Sequence, residues 1–143
     1  MINQLQEIPY INDILHQPQA LQDTLSALGH QDFAPFSSFA SQLRSGKLRH
    51  ILLTGMGSSF YALHPLYLAL LKQGLSAHLL ETSELVHHAS ALLTAEALIV
   101  AVSQSGASAE ILQLLDRLPP QATLIGVTNT PGTSQVNLPG AVR

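Results

Sequence analysis

Four short runs of apolar residues recur along the chain from residue 50 onward, and a stretch with helical periodicity follows each of the first three. Within the runs, polar and apolar residues do not alternate, which is typical of strands buried on both faces of a parallel sheet. The runs are residues 50–55, 77–81, 97–103 and 123–128. Right-handed crossovers between such strands give a doubly wound layer structure, so we predict an α/β fold with a flavodoxin-like parallel sheet of four to five strands flanked by helices.

The helices between these runs are predicted from where the periodicity begins and where prolines interrupt it. The first extends to about Gln73, with Pro65 delaying it after one tight turn. The second covers residues 84–93, and the third covers residues 107–118 and ends at two prolines. The segment VNLP, residues 136–139, predicts the stub of a fifth strand.

The first 45 residues have helical periodicity without strands, and we predict that they form an N-terminal helical arm. Pro9 is expected to break or kink the first apolar stripe, Pro18 to begin a second helix that ends at Gly29, and Pro35 to begin a third. The prediction for domain organisation is therefore an arm at residues 1–45 and a single module at residues 46–143, with truncation of that module at its C-terminal end left open.

The composition excludes several classes of protein. Of the 143 residues only 10% are charged, the net charge is −3 and cysteine is absent. No basic face for nucleic acid is expected, and disulfides, cysteine-ligated zinc and thiol nucleophiles are excluded. The sequence shows neither an export signal nor an apolar stretch long enough to span a membrane, which predicts a cytoplasmic protein. Because so little charge covers the surface, we expect a homodimer or a larger oligomer.

Two loops rich in glycine and serine follow the first and third strands. They are TGMGSSF at residues 54–60 and SQSGAS at residues 103–108. With the strand order 2-1-3-4, the carboxyl ends of strands 1 and 3 are neighbours where the winding of the sheet reverses, which is where open α/β sheets bind ligands. Helix N-termini and serine hydroxyls offer neutral donors to an anion. The loops therefore predict a phosphate site held by dipoles rather than by full charges.

The alternative is that these loops only begin helices, since serine and glycine are good N-cap residues in any α/β protein. Two other phosphate motifs do not apply. Neither loop is a Walker A sequence, because no GK[ST] follows, and Phe60 stands where a dinucleotide-binding fingerprint requires its third glycine.

The combination of TGMGSSFYA, AVSQSGASAEIL and IGVTNTPGT resembles the sugar isomerase (SIS) family of phosphosugar-binding domains. The likeness covers nearly the whole chain and is greatest to the first SIS module in the isomerase part of glucosamine-6-phosphate synthase. It implies that both loops bind the phosphate of a hexose phosphate. The phosphate ligands that it implies are Ser59, Ser103, Gln104, Ser105 and Ser108, with Gly57 and Ser58 adding contacts around the sugar.

The sequence departs from this family in several places. Ser108 stands where the family usually has threonine, and Ala107 where it usually has glutamate. The chain is less than half as long as the two-module isomerases, and the resemblance implies that the base and the lysine of their reaction lie in the second module and the C-terminal tail. The catalytic residues are therefore unknown.

Glu84, beside the end of the second strand, is either a functional residue or a structural one. As a functional residue it would contact a sugar hydroxyl or act as a base, and as a structural one it would lie in the first turn of a helix capped by Thr82 or Ser83. His87 and His88 lack the spacing of a metal site, so we expect no metal there. No cofactor is expected either.

The resulting hypothesis is a module that binds a hexose 6-phosphate, forming the N-terminal half of an aldose–ketose isomerase or of an aminotransferase or deaminase. The alternative is a sensor of sugar phosphates without catalysis, or an inactive remnant. No nucleic acid or membrane partner is expected.

Overall fold

The computed structural model describes residues 9–30 and 34–130. The chain divides into two compact units, Met1–Ala34 and Pro35–Arg143. The first contains helix α1, Pro9–Gly29. None of the helices within the described residues combines the length and the apolar character needed to cross a bilayer.

The second unit contains a four-stranded parallel sheet in the order β2-β1-β3-β4. Both the α/β class and the strand order predicted from the sequence are confirmed. The strands are β1 His50–Gly55, β2 Ala77–Glu81, β3 Ala97–Val102 and β4 Thr123–Val127. The helices are α2 Ala34–Arg44, α3 Ser58–Ala62, α4 His64–Lys72, α5 Thr82–His87 and α6 Ala109–Arg117, with a 3₁₀ turn at Ser90–Leu92.

Successive side chains of the central strands point to opposite sides of the sheet. Apolar residues pack on both sides, so both faces are buried. On one face, Leu52 of β1 and Ile99 of β3 pack with residues of α5 and α6. On the other face, Leu53 packs with residues of α2 and α4, which include Phe39 and Tyr67. Helices therefore cover both faces, and the winding direction reverses between β1 and β3.

Two predictions of helix boundaries were wrong. Pro18 does not begin a helix, because α1 starts at Pro9 and continues through Pro18 to Gly29. The second helix of the α/β pattern begins at Thr82, and its N-cap is Glu81 rather than Thr82 or Ser83. The proposed fifth strand lies outside the described residues.

Helix α2, which the sequence pattern grouped with the arm, belongs mainly to the second unit. Its residues Phe39 and Leu43 pack against the core on one side of the sheet. The apolar stripe predicted after Pro35 therefore has its partner in the sheet, which accounts for the helix despite its short length.

Candidate functional site

The carboxyl ends of β1 and β3 lie side by side at the reversal of the winding. Gly55, the last residue of β1, pairs with Val102, the last residue of β3. The segment that follows β1, residues 56–59 (the β1 loop), and the segment that follows β3, residues 103–108 (the β3 loop), therefore begin next to each other. The sequence-based prediction that the two loops meet at one edge of the sheet is confirmed.

Gly55 permits this close approach. A Cβ atom added to Gly55 would lie 3.0 Å from the backbone nitrogen of Phe60 and 3.0 Å from the carbonyl oxygen of Val102. Both neighbours are backbone atoms, so neither can move away as the end of a flexible side chain could. The absence of a side chain at this position therefore brings the first turn of α3 against the end of β3.

The β1 loop turns sharply into a single helical turn. Gly57, the residue before α3, has φ = 53° and ψ = −124°, a conformation that residues other than glycine rarely adopt. Helix α3 then ends at Ala62, and α4 follows with Pro65 in its first turn. The predicted single tight turn before Pro65 is confirmed.

The β3 loop is closed by a turn from Ser103 to Gly106. The backbone N–H of Gly106 donates to both the carbonyl oxygen and the hydroxyl Oγ of Ser103, each at 3.2 Å. Gly106 has φ = 64°, so a residue with a side chain would be strained there. The turn fixes the position of Ser103, whose side chain is buried at the base of the loop.

Three serine hydroxyls of the β3 loop accept hydrogen bonds from backbone N–H groups of the same segment. Ser103 accepts from Gly106 at 3.2 Å, Ser105 from Ala107 at 3.3 Å and Ser108 from Ile111 at 3.4 Å. Within the described residues none of the three hydroxyls donates. Because a hydroxyl has one proton and two lone pairs, each side chain is oriented by the backbone while its proton is still available to a ligand.

Two cavities open between the loops and share Ser59, Val102, Ser103 and Gln104. The smaller has a volume of about 160 Å³ and the larger of about 330 Å³. Met56, Ser105, Ser108 and Ile111 also line the smaller cavity. Ser58, Ala62, Val127, Thr128 and Asn129 also line the larger one.

Six of the predicted binding residues therefore come together, and two do not. Gly57 shapes the turn before α3 but lines neither cavity. Glu84 also lines neither cavity, and its Oε2 accepts from the backbone N–H of Glu81 at 3.3 Å as one half of a capping box. This arrangement corresponds to the alternative in which Glu84 stabilises the start of α5.

The backbone amides of the two loops are only partly engaged within the protein. The N–H of Ser59 donates to the carbonyl oxygen of Met56 at 3.1 Å, so this expected donor is already engaged. By contrast, the N–H groups of Gln104 and Ser105 in the β3 loop, like those of Gly57 and Ser58 in the β1 loop, have no acceptor among the described residues. Both loops therefore offer neutral donors at this edge of the sheet, from backbone N–H groups and from serine hydroxyls.

The segment after β4, residues 128–130 (the β4 loop), also reaches the site. Three of its groups donate to the carbonyl oxygen of Gln104: Thr128 Oγ1 at 3.2 Å, the backbone N–H of Asn129 at 3.2 Å and Thr130 Oγ1 at 3.4 Å. These residues were not among those predicted from the sequence to form the site. The signal for them was present, since β4 is parallel to β3 and polar residues follow it at the same edge of the sheet.

The lining consists of hydroxyl, amide, thioether and apolar groups, and no lysine, arginine, histidine or carboxylate is among the described residues around either cavity. Within the part of the chain that the structure describes, no three metal-ligating side chains come together. An anion bound here would be held by neutral donors.

Solved structures with the same architecture were found for this chain. A tagatose-6-phosphate ketose/aldose isomerase from Escherichia coli matches 92% of the chain at 22% identity, with a TM-score of 0.73. The C-terminal domain of a glucosamine-fructose-6-phosphate aminotransferase from Francisella tularensis matches 94% at 22% identity, with a TM-score of 0.70. The chain has the fold of the phosphosugar isomerase (SIS) domains. The resemblance inferred from the sequence is thus confirmed at the level of the fold.

The chain spans 38% of the length of each of these two structures. A third, an Escherichia coli CFT073 protein in complex with a sugar phosphate, matches 86% of the chain and 68% of its own length at 22% identity, with a TM-score of 0.55. No protein-family model and no curated protein matches the sequence.

Proposed function

We propose that the chain is a phosphosugar-binding module that holds the phosphate of a hexose 6-phosphate between the β1 and β3 loops. The observation that carries the proposal is the set of three serine hydroxyls in the β3 loop. Each is fixed by a backbone N–H and has its own proton to donate. Ser59 adds a fourth hydroxyl, which lines both cavities.

The two cavities fit the two parts of such a ligand. The smaller one is lined by the hydroxyl groups of Ser59, Ser103, Ser105 and Ser108, which suit phosphate oxygens. The larger one contains apolar Ala62 and Val127 beside polar groups. Its volume of about 330 Å³ is at the lower end of the range of about 300–1,000 Å³ for small-molecule sites. We assign the phosphate to the smaller cavity and the sugar to the larger one.

Helix capping alone accounts for only part of this arrangement. Ser108 is the N-cap of α6 and would be expected there without any ligand. Ser103 and Ser105 precede the N-cap, and their hydroxyl oxygens accept from N–H groups of the loop rather than of the helix. The alternative of plain capping therefore leaves the proximity of Ser59, Ser103 and Ser105 around one cavity without a role.

The names of the similar structures support a sugar phosphate as the ligand. Two of them describe proteins named for 6-phosphosugars, and the third describes a complex with a sugar phosphate. Fructose 6-phosphate and glucosamine 6-phosphate are the first candidate ligands to compare.

Two roles are compatible with such binding: the N-terminal half of an aldose–ketose isomerase, aminotransferase or deaminase, and a sensor that reports sugar-phosphate levels. Isomerisation needs a base positioned at a substrate carbon. An assay for the conversion of fructose 6-phosphate into glucose 6-phosphate separates the two roles, because turnover would exclude a pure sensor. Cytoplasmic location and a homodimeric or larger assembly stay predictions, and sedimentation velocity tests the latter.

The binding proposal is tested by thermal unfolding of the full chain with and without millimolar glucose 6-phosphate. A ligand that binds the native state stabilises it by RT ln(1 + [L]/Kd), so the melting temperature is expected to rise. Glucose at the same concentration should have no such effect, because it lacks the phosphate. An unchanged melting temperature with glucose 6-phosphate, glucosamine 6-phosphate and fructose 6-phosphate would contradict the proposal.

Ser105→Ala is expected to reduce this shift, because it removes one donor to the phosphate. The affinity loss should be about fivefold, corresponding to about 1 kcal/mol for one hydrogen bond. Ser76→Ala is the matched control, since Ser76 precedes β2 at the opposite end of the sheet and its side chain is exposed. If both variants respond to the ligand as the original chain does, the β3 loop does not bind the phosphate.

A further inference from the structure

The hydrogen bonds around the Gln104 carbonyl connect the β4 loop to the β3 loop. Thr128 has a central place in this network, because its Oγ1 donates to the Gln104 oxygen at 3.2 Å and accepts from the backbone N–H of Thr130 at 3.1 Å. The N–H of Asn129 and the hydroxyl of Thr130 donate to the same oxygen. One peptide group is thus held from a single side by three donors.

This arrangement fixes the direction of the Ser105 N–H. The Gln104 carbonyl and the Ser105 N–H belong to one peptide unit, and the described chain contains no cis peptide bond. In a planar trans peptide these two groups point in opposite directions. The carbonyl is directed at the β4 loop, so the N–H of Ser105 is directed away from it, and it has no acceptor among the described residues.

Hydrogen bonds to the carbonyl also strengthen the N–H as a donor. Bonds in a chain polarise one another, since electron density drawn toward the carbonyl oxygen leaves the N–H proton more positive. Three donors on one oxygen act in the same direction. Ser105 lines the smaller cavity, where the proposed function places the phosphate.

We propose that Thr128 is a positioning residue for phosphate binding, acting through the Gln104–Ser105 peptide, whose N–H it orients toward the anion. The inference rests on the proposed function of the site. It assigns to the β4 loop a role that involves no contact between Thr128 and the phosphate. Thr130 contributes to the same role through its longer hydrogen bond of 3.4 Å.

The test compares variants of the full chain that keep or remove this hydroxyl. Thr128→Val keeps the shape of the side chain and removes both hydrogen bonds, whereas Thr128→Ser keeps them. Thr123→Val is the matched control, because Thr123 begins the same strand at its other end and its hydroxyl makes no hydrogen bond within the described residues. The ¹⁵N-labelled protein is titrated with glucose 6-phosphate and with inorganic phosphate, and NMR spectra are recorded at each step. The titrations give the affinity for each probe, and the spectra give the position of the Ser105 amide resonance.

Thr128→Val is expected to bind both probes about fivefold more weakly, the effect of one hydrogen bond, while Thr128→Ser and Thr123→Val bind as the original chain does. The Ser105 amide resonance of Thr128→Val should also shift in the absence of ligand. If Thr128→Val does not fold, Thr130→Val replaces it in the test, because Thr130 is exposed. This variant should bind both probes with an affinity lowered by about twofold.

Three results would overturn the inference while leaving the proposed function intact. Folded Thr128→Val could bind both probes normally, Thr128→Ser could bind as weakly as Thr128→Val, or the loss could be confined to glucose 6-phosphate. The last result would mean that Thr128 contacts the sugar directly. If the original chain binds neither probe, the proposed function fails, and this inference fails with it.

Discussion

At the scale of single residues, the site depends on whether each serine hydroxyl uses its oxygen or its proton in hydrogen bonds within the protein. Ser103 and Ser105 accept from backbone N–H groups, so their protons are available to an acceptor ligand. Sequence reasoning found these serines because they follow a buried strand and begin a helix. It could not identify Thr128 or the engaged N–H of Ser59, because both depend on hydrogen bonds that form only when the loops are folded.

The neutral lining leads to a prediction about pH. The hydroxyl and amide groups that line the cavities keep their charge between about pH 5 and pH 9, whereas a phosphate monoester loses its second proton at a pH of about 6. We expect the affinity for glucose 6-phosphate to rise from about pH 5 to pH 7 and to stay level above that, because the dianion is the better acceptor. Calorimetric titration at each pH measures this.

Glucose 6-sulfate is the control for this prediction, because a sulfate ester remains a monoanion over the whole range. Its affinity should be independent of pH. A change in glucose 6-phosphate affinity above about pH 7, or any pH dependence with the sulfate ester, would show that a titrating group of the protein takes part in binding.

At the scale of secondary-structure elements, the sequence predicted the strands better than the helices. The predicted run at 97–103 differs from β3, Ala97–Val102, by one residue, because a buried parallel strand is a continuous apolar segment. The helix predicted at 84–93 is instead α5, Thr82–His87, followed by a 3₁₀ turn. The spacing of apolar residues does not distinguish an α-helix from a 3₁₀ turn. The start of α5 was missed because its capping box depends on contacts between carboxylates and the backbone, which the sequence does not display.

Pro18 shows the same limit in α1. A proline inside a helix removes one hydrogen bond and costs about 3 kcal/mol, which favours a break on local grounds. The helix nevertheless continues from Pro9 to Gly29. A local penalty therefore does not fix where a helix ends.

Gly55 offers a test of how the elements are joined. Gly55→Ala places a Cβ atom 3.0 Å from the backbone of α3 and of β3, so it should push the β1 loop away from the β3 loop. We expect a loss of stability of about 1–3 kcal/mol, typical of overpacking, together with weaker binding of glucose 6-phosphate. Chemical denaturation measures the first effect and calorimetry the second.

Gly29→Ala is the matched control, because none of the described residues comes within 4 Å of a Cβ atom at Gly29 and its φ is not positive. Its effect on stability should stay within about 0.5 kcal/mol. If Gly55→Ala is equally neutral and binds normally, the close packing of the two loops is not what forms the site.

At the scale of the whole molecule, the topology does most to define the site. The order β2-β1-β3-β4 makes β1 and β3 neighbours where the winding reverses, and their last residues are paired in register. The alternation of strands and helices predicted a doubly wound parallel sheet under general rules of handedness. The order itself was taken as the flavodoxin-like one of the two common orders of such sheets, and the structure has that order. The contribution of the β4 loop followed from the same topology but became clear only from the contacts of Gln104.

The most direct test of the account is a crystal structure of the full chain with glucose 6-phosphate bound. The central claim is that one phosphate is held by both loops through neutral donors. We expect phosphate oxygens within hydrogen-bonding distance, about 2.5–3.0 Å, of the hydroxyls of both Ser59 and Ser105. A phosphate bound elsewhere, or held by only one of the two loops, would contradict it.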